Sequence, residues 1–181
     1  MVDLGTGDGR FVLHTAARDP SVLVIDIDAD AASMVEGSWK AARSGLPNAL
    51  FVVAAAEDLP RELDGLADDV RIHFPWGSLL RGIVTADAAV VDPVARLCAP
   101  GASVTALLSV VERDHVASSF DGSMVSTGFR RHGLVLVDAR EASATEIAAA
   151  RSSWAKRLGA GSRRPVTLLR FLREPRRSGA C

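Results

Sequence analysis

The run VDLGTGDGR (residues 2–10) places three alternating glycines, Gly5, Gly7 and Gly9, directly after a short apolar stretch. Glycine permits a tight turn and lets a ligand approach the backbone closely. A helix starting just beyond would point its free amides at the same ligand. Such a loop is a weak signal alone, and two acids sharpen it. Asp3 precedes the glycines, and Asp28 closes a second apolar run 19 residues after Gly9. A carboxylate at the end of a second strand can accept hydrogen bonds from both hydroxyls of a ribose. The spacing is G-x-G-x-G, not the G-x-G-x-x-G of dinucleotide dehydrogenases. The chemistry these residues could do is therefore to hold a nucleoside. Asp26 alternates with Asp28 along the same run, so it should face the other way.

Together the loop and the acid resemble the class I S-adenosylmethionine-dependent methyltransferases. That resemblance implies a loop cradling the methionine moiety and Asp28 on the ribose. It also implies that AAAED (residues 54–58) sets Ala56 and Glu57 beside the adenine. In such a scheme the end of a fourth strand overlooks the transferable methyl. Here that stretch is Phe74-Pro75-Trp76-Gly77, an aromatic between two chain-breakers. Amino-directed nucleic-acid methyltransferases often carry a polar side chain at this place, and none stands here. N1 of adenine needs no base, because its lone pair can attack a sulfonium methyl directly. Catalysis then reduces to alignment and a suitable field, together with a way to hold an extruded base. Aromatic faces supply that hold, at about 1–3 kcal/mol per stacked base. Trp76 is placed for one face, and Trp154, beside the basic loop GAGSRRP (residues 159–165), for the other.

The elements that must position these residues alternate. MVDLG, VLVIDI, ALFVVAA, VRIHF and SVTALLSVV read as buried strands. RFVLHTAAR, a stretch running to about Lys40, and DAAVVDPVARLC read as helices, Pro93 marking or kinking the last. LVLVDA and PVTLLRF then flank a helix opened by a Ser143/Glu146 capping box and stopped at Gly159. Its Ile147, Arg151, Trp154 and Leu158 should share one face. The expected fold is α/β, Rossmann-like and doubly wound: a mostly parallel seven-stranded sheet with an antiparallel last strand. One domain is expected over 1–174, with a disordered basic tail over 175–181.

Composition limits the alternatives. No apolar run approaches the ~18–20 residues of a membrane span. Cys98 and Cys181 are the only cysteines among the 181 residues, too few for a disulfide framework or a cysteine-rich metal site, so a reducing cytoplasm is expected and no metal. The four histidines have no ligand spacing. From Arg151 to Arg177 nine basic residues face one acid, Glu174, leaving 12 basic and 21 acidic residues in 1–150. A basic segment on an acidic body suits a polyanionic partner met by one face, and equally a solvated basic edge.

At closer range VDLGTGDGR, NALFVVAAAEDLP, FPWGSLLRG and SSWAKRL, in this order, resemble the aminoglycoside-resistance methyltransferases that modify N1 of adenine 1408 in 16S rRNA. The match runs from Val2 to about Arg164. The resemblance implies an adenine flipped between Trp76 and Trp154, with Pro75 shaping the turn. Asp3, Gly5, Gly7, Asp28, Ala56, Glu57 and Ser152 would bind S-adenosyl-L-methionine. Lys40, Arg43, Lys156, Arg157, Arg163 and Arg164 would dock the rRNA of an intact 30S subunit, the chain acting as a monomer. Four departures stand out. The family's extension before the first strand is missing, so the start is expected upstream or trimmed. GSWKAARSGLPN, where the family is lysine-rich, is shorter and carries Trp39 where a basic residue is common. Ser162 occupies a place where arginine can occur, and the lid segment ERDHVASSFDGSMVSTGFRRHG is short. These departures leave two alternatives open: a weak or silent homologue binding the cofactor or RNA, or a methyltransferase with another substrate.

Overall fold

A computed structural model describes residues 1–5, 7–110 and 121–175. Seven strands form one sheet: β1 (Val2–Leu4), β2 (Val24–Asp28), β3 (Ala49–Val53), β4 (Ala67–His73), β5 (Cys98–Leu108), β6 (Leu134–Glu141) and β7 (Thr167–Arg173). Their order is β3-β2-β1-β4-β5-β7-β6. The first five strands run parallel, while β7 is antiparallel to both β5 and β6. The order reverses at β1, and ligands of open α/β sheets bind at such a switch point, beyond the carboxyl ends of the strands.

β1 has only three residues yet is buried throughout, hydrogen-bonding to β2 on one side and β4 on the other. The Gly5 N–H carries the ladder one step further, donating to the Ile27 carbonyl at 2.8 Å. Alternation along the strands sorts two cores. Val2, Leu4, Ile25, Ile27, Val70 and Ile72 join the apolar faces of α3 (Gly77–Val84), α4 (Ala88–Leu97) and α5 (Gly122–Arg131). On the other face Val24 and Ala49 pack with Val12 and Ala16 of α1 (Arg10–Arg18) and Ala41 of α2 (Ala31–Arg43). Each fully buried Val, Leu or Ile contributes about 1.5–3 kcal/mol of transfer free energy. α2 lies close on β3: a Cβ at Gly37 would stand 2.5 Å from the Phe51 ring.

The structure departs from the sequence expectations in three places. The helix expected from Ser143 to Gly159 is two helices, α6 (Ala144–Ala149) and α7 (Ser153–Leu158). The capping box is present, and Gly159 ends α7 in the left-handed region. Between them Arg151 adopts φ 51°, and the Ser152 hydroxyl restarts the helix by accepting the Ala155 N–H. The break buries Ala150 with Phe74, Leu107, Val166 and Leu168, so Ile147, Arg151 and Trp154 do not form one continuous face. α3 was not anticipated, because Pro75-Trp76-Gly77 reads as a breaker cluster; its buried Leu79, Leu80, Ile83 and Val84 hold it down. α5 lies in the segment read as a lid, capped by Asp121 and anchored by buried Val125 and Phe129. Pro93 sits inside α4, which continues through it to Leu97. The lid residues 111–120 and the tail residues 176–181 lie outside the described residues. Among the described residues, no helix is long and apolar enough to cross a membrane.

Candidate cofactor and base-binding site

The site begins with a strained residue. Phe74, directly after β4, adopts φ 53°, a left-handed conformation that costs a non-glycine residue about 1–2 kcal/mol. Its N–H bonds to the Leu107 carbonyl at 2.9 Å and its side chain is buried, which holds the turn in place. The turn lifts Pro75 and Trp76 off the sheet. Trp76 then stands as the N-cap of α3 and is 76% exposed. This explains an aromatic where the strand has already stopped: the fold spends strain to present it.

Two cavities share this tryptophan in their walls. The first, about 310 Å³, lies over the ends of β1 to β4 and is lined by Gly5, Asp28, Ala54–Glu57 and Pro75–Leu79. The three alanines give it a low, flat wall suited to a planar ring. Asp28 is held by two backbone amides: its Oδ2 accepts the Gly7 N–H at 3.1 Å and its Oδ1 the Asp30 N–H at 2.9 Å. Each carboxylate oxygen keeps acceptor capacity for a hydroxyl. Gly5 adopts φ 75°, and a Cβ there would stand 2.6 Å from Leu79 Cδ2. Only glycine leaves this wall open. A nucleoside cofactor fits these residues.

The second cavity, about 330 Å³, is lined by Gly5, Gly7, Asp8, His73, Trp76, Ser152, Trp154 and Arg157. Gly5 and Trp76 thus border both cavities. Trp154 is 42% exposed, and α7 brings it to the cavity that Trp76 borders. Both indoles therefore border this one cavity.

Most expected site residues meet at these two cavities: Gly5, Gly7, Asp28, Ala56, Glu57, Ser152, Pro75, Trp76 and Trp154. Ser152 lines only the second, with its hydroxyl engaged in capping α7. Asp3 is 1% exposed and lines neither; its Oδ1 lies 3.3 Å from His73 Nδ1. Asp26 is fully buried, with Oδ2 3.2 Å from where a Gly9 Cβ would stand, away from both cavities as the alternation predicts.

Of the expected docking residues, Lys40 and Arg157 come together with Arg10 at a cleft of about 230 Å³ beside the second cavity. Lys40 is paired with Glu36 at 2.6 Å. Arg43, Lys156 and Arg163 are exposed and Arg164 is half-buried. Sequence reasoning missed two residues, Asp8 and His73. His73 is 8% exposed and meets the Phe11 ring edge-on at 4.6 Å. Its apolar strand context concealed it. Asp8 sits inside the glycine loop, where its long-range partner has no local signal.

The strand order with an antiparallel seventh strand, the glycine loop and the acid ending β2 define a class I methyltransferase fold. The chain belongs to the family of 16S rRNA (adenine(1408)-N(1))-methyltransferases: the family model described as "NpmA: 16S rRNA (adenine(1408)-N(1))-methyltransferase" matches residues 1–172. The enzyme of that name from Streptoalloteichus tenebrarius is 34% identical over 172 residues, covering 87% of this chain and 79% of the relative. The one from Escherichia coli is 31% identical over 184 residues, covering 90% and 82%. Among solved structures, the W203A mutant of the Catenulisporales acidiphilia enzyme with cosubstrate SAM superposes with a TM-score of 0.85 at 30% identity, covering 99% of this chain and 87% of that one. The aminoglycoside resistance methyltransferase NpmB1 gives 0.79 at 37% identity, covering 95% and 85%.

Proposed function

We propose that this chain methylates N1 of adenine 1408 in 16S rRNA of the 30S subunit, with S-adenosyl-L-methionine as donor, and so confers aminoglycoside resistance. It does so in the cytoplasm, as a monomer. The observation that carries this reading is the pair of cavities sharing Gly5 and Trp76, with Trp154 bordering the second. Asp28 would hold the ribose, Ala54–Ala56 and Glu57 the adenine, and the Gly5–Gly7 loop the methionine end. The cofactor supplies an electrophilic methyl on a sulfonium. Trp76 and Trp154 hold the flipped adenine with N1 directed at the shared wall. N1 would attack with its own lone pair as the sulfonium–methyl bond breaks, leaving a neutral thioether and placing the positive charge on the base, so no residue need take a proton from it. Holding the base in line is the main contribution of these side chains. Lys40, Arg43, Lys156, Arg157, Arg163 and Arg164 act as phosphate contacts, which makes docking salt-dependent.

The test is primer extension across the decoding site after incubating purified 30S subunits with the chain and cofactor. A methyl on N1 blocks Watson–Crick pairing, so a stop at adenine 1408 is expected. Cofactor binding without a stop, in an assay where an active relative gives one, would overturn the reading in favour of a silent homologue.

A further inference from the structure

Asp8 makes a contact that spans most of the chain. Its Oδ2 accepts the backbone N–H of Ser153, 145 residues away, at 3.2 Å. Its Oδ1 accepts the Arg10 N–H at 3.3 Å, and Oδ2 lies 3.5 Å from Arg10 Nε. Ser153 opens α7, and the next residue is Trp154. On the other side of the loop, the neighbouring Gly7 N–H donates to Asp28 Oδ2 at 3.1 Å. Residues 7 and 8 are thus fastened at one end to the acid of the first cavity. At the other end they hold the helix that lines the second.

α7 is six residues long, well below the length at which a helix holds its own geometry in water. Its orientation must come from what it touches. Ser152 caps it from within the chain, and Ala155 packs into the small cluster around Phe74 and Val166. The Asp8 carboxylate grips its first N–H from the cofactor loop. Bonds from an N–H to a charged acceptor are stronger than neutral ones.

We infer that Asp8 is a positioning residue: it sets Trp154 against the cofactor loop, so that the base-holding wall is in register with the methyl-donating one. This rests on the function proposed above. Asp8 touches neither reacting atom in this account and acts through α7.

Two substitutions and two readouts test it. Asp8→Ala removes the acceptor. Asp8→Asn keeps an amide oxygen that can still take the Ser153 N–H. With 30S subunits, Asp8→Ala is expected to lower kcat roughly ten- to hundredfold with cofactor Kd, measured by calorimetry, nearly unchanged. Asp8→Asn is expected to recover most of that loss. The second readout does not need turnover. In a Trp39→Phe, Trp76→Phe background the fluorescence reports Trp154 alone, and acrylamide quenching is expected to rise in Asp8→Ala but not in Asp8→Asn. Unchanged quenching in Asp8→Ala, or a collapse of cofactor affinity in its place, would overturn the inference. A wild-type chain that does not methylate 30S subunits but shows the quenching pattern would refute the proposed function and leave the tether standing.

Discussion

Truncating the tryptophans separates a base-holding role from a packing role. Trp76 is 76% exposed, so Trp76→Ala removes little buried surface and should change fold stability by no more than about 0.5 kcal/mol. Losing one stacking face from a flipped base costs about 1–3 kcal/mol. At 1.36 kcal/mol per tenfold, that is a drop in kcat/KM of about 5- to 160-fold. Trp154→Ala should give a loss of the same order, accompanied by a small stability cost, since Trp154 is 42% exposed. Trp76→Phe keeps a face and should recover most of the rate. The assay is transfer of labelled methyl to 30S subunits over a range of subunit concentrations, beside a thermal melt and a cofactor titration. Wild-type methylation by Trp76→Ala would refute the stacking role. Loss of folding together with methylation would make Trp76 a structural residue, against its exposure, and loss of cofactor affinity alone would assign it to the first cavity, which it also lines.

Three further outcomes follow from the same geometry. Gly5→Ala puts a Cβ at φ 75° and 2.6 Å from Leu79 Cδ2; strain and overpacking of about 2–4 kcal/mol should lower Tm by roughly 5–15 °C and weaken cofactor binding, and an unchanged melt would contradict the close approach. The Arg140 guanidinium, with the Ser143 N–H and hydroxyl, holds the Glu146 carboxyl well below its usual value of 4.5. A depressed carboxyl contributes fully above its unfolded pKa and loses that contribution as pH falls below it. The Tm difference between wild type and Glu146→Gln should therefore be constant above about pH 5.5 and shrink steadily towards pH 3, and a pH-independent difference would dispose of the pairing. Burial pushes the Cys98 thiol up to about 12; peptide mapping should find it unmodified by iodoacetamide at neutral pH in the native chain and labelled only in denaturant.

The residues whose placement could be read in advance owe it to local chemistry. Gly5, Gly7 and Gly9 all adopt positive φ, as their alternation suggested, and Asp28 ends β2 where the apolar run stops. Trp76 announced itself through the breakers around it. What the sequence concealed was set by tertiary contact. Arg151 gives no signal for φ 51°; the turn there exists because Ala150 goes into a cluster assembled from β5 and β7. A 3.6-residue period through Ile147, Arg151 and Trp154 is compatible with an unbroken helix, and burial overrode it. The Asp8–Ser153 bond joins the two ends of the chain, so no window on the sequence contains both partners.

The place of β7 has a consequence for how the molecule is made. Among the described residues β6 pairs with β7 alone, and β7 lies between β5 and β6, although it follows both in the chain. Until residues through Arg173 have emerged, β6 has no neighbour and β5 presents an open edge. At about 5–20 residues per second the interval from Glu141 to Arg173 lasts roughly 2–6 seconds. α7 and Trp154 are synthesised within that interval, in the connection that β7 must pull into place. A nascent chain therefore carries the Gly5–Asp28 side of the two cavities well before it has the Trp154 side. Trp154 therefore reaches the cavity it shares with Trp76 only once β7 has paired between β5 and the edge strand β6.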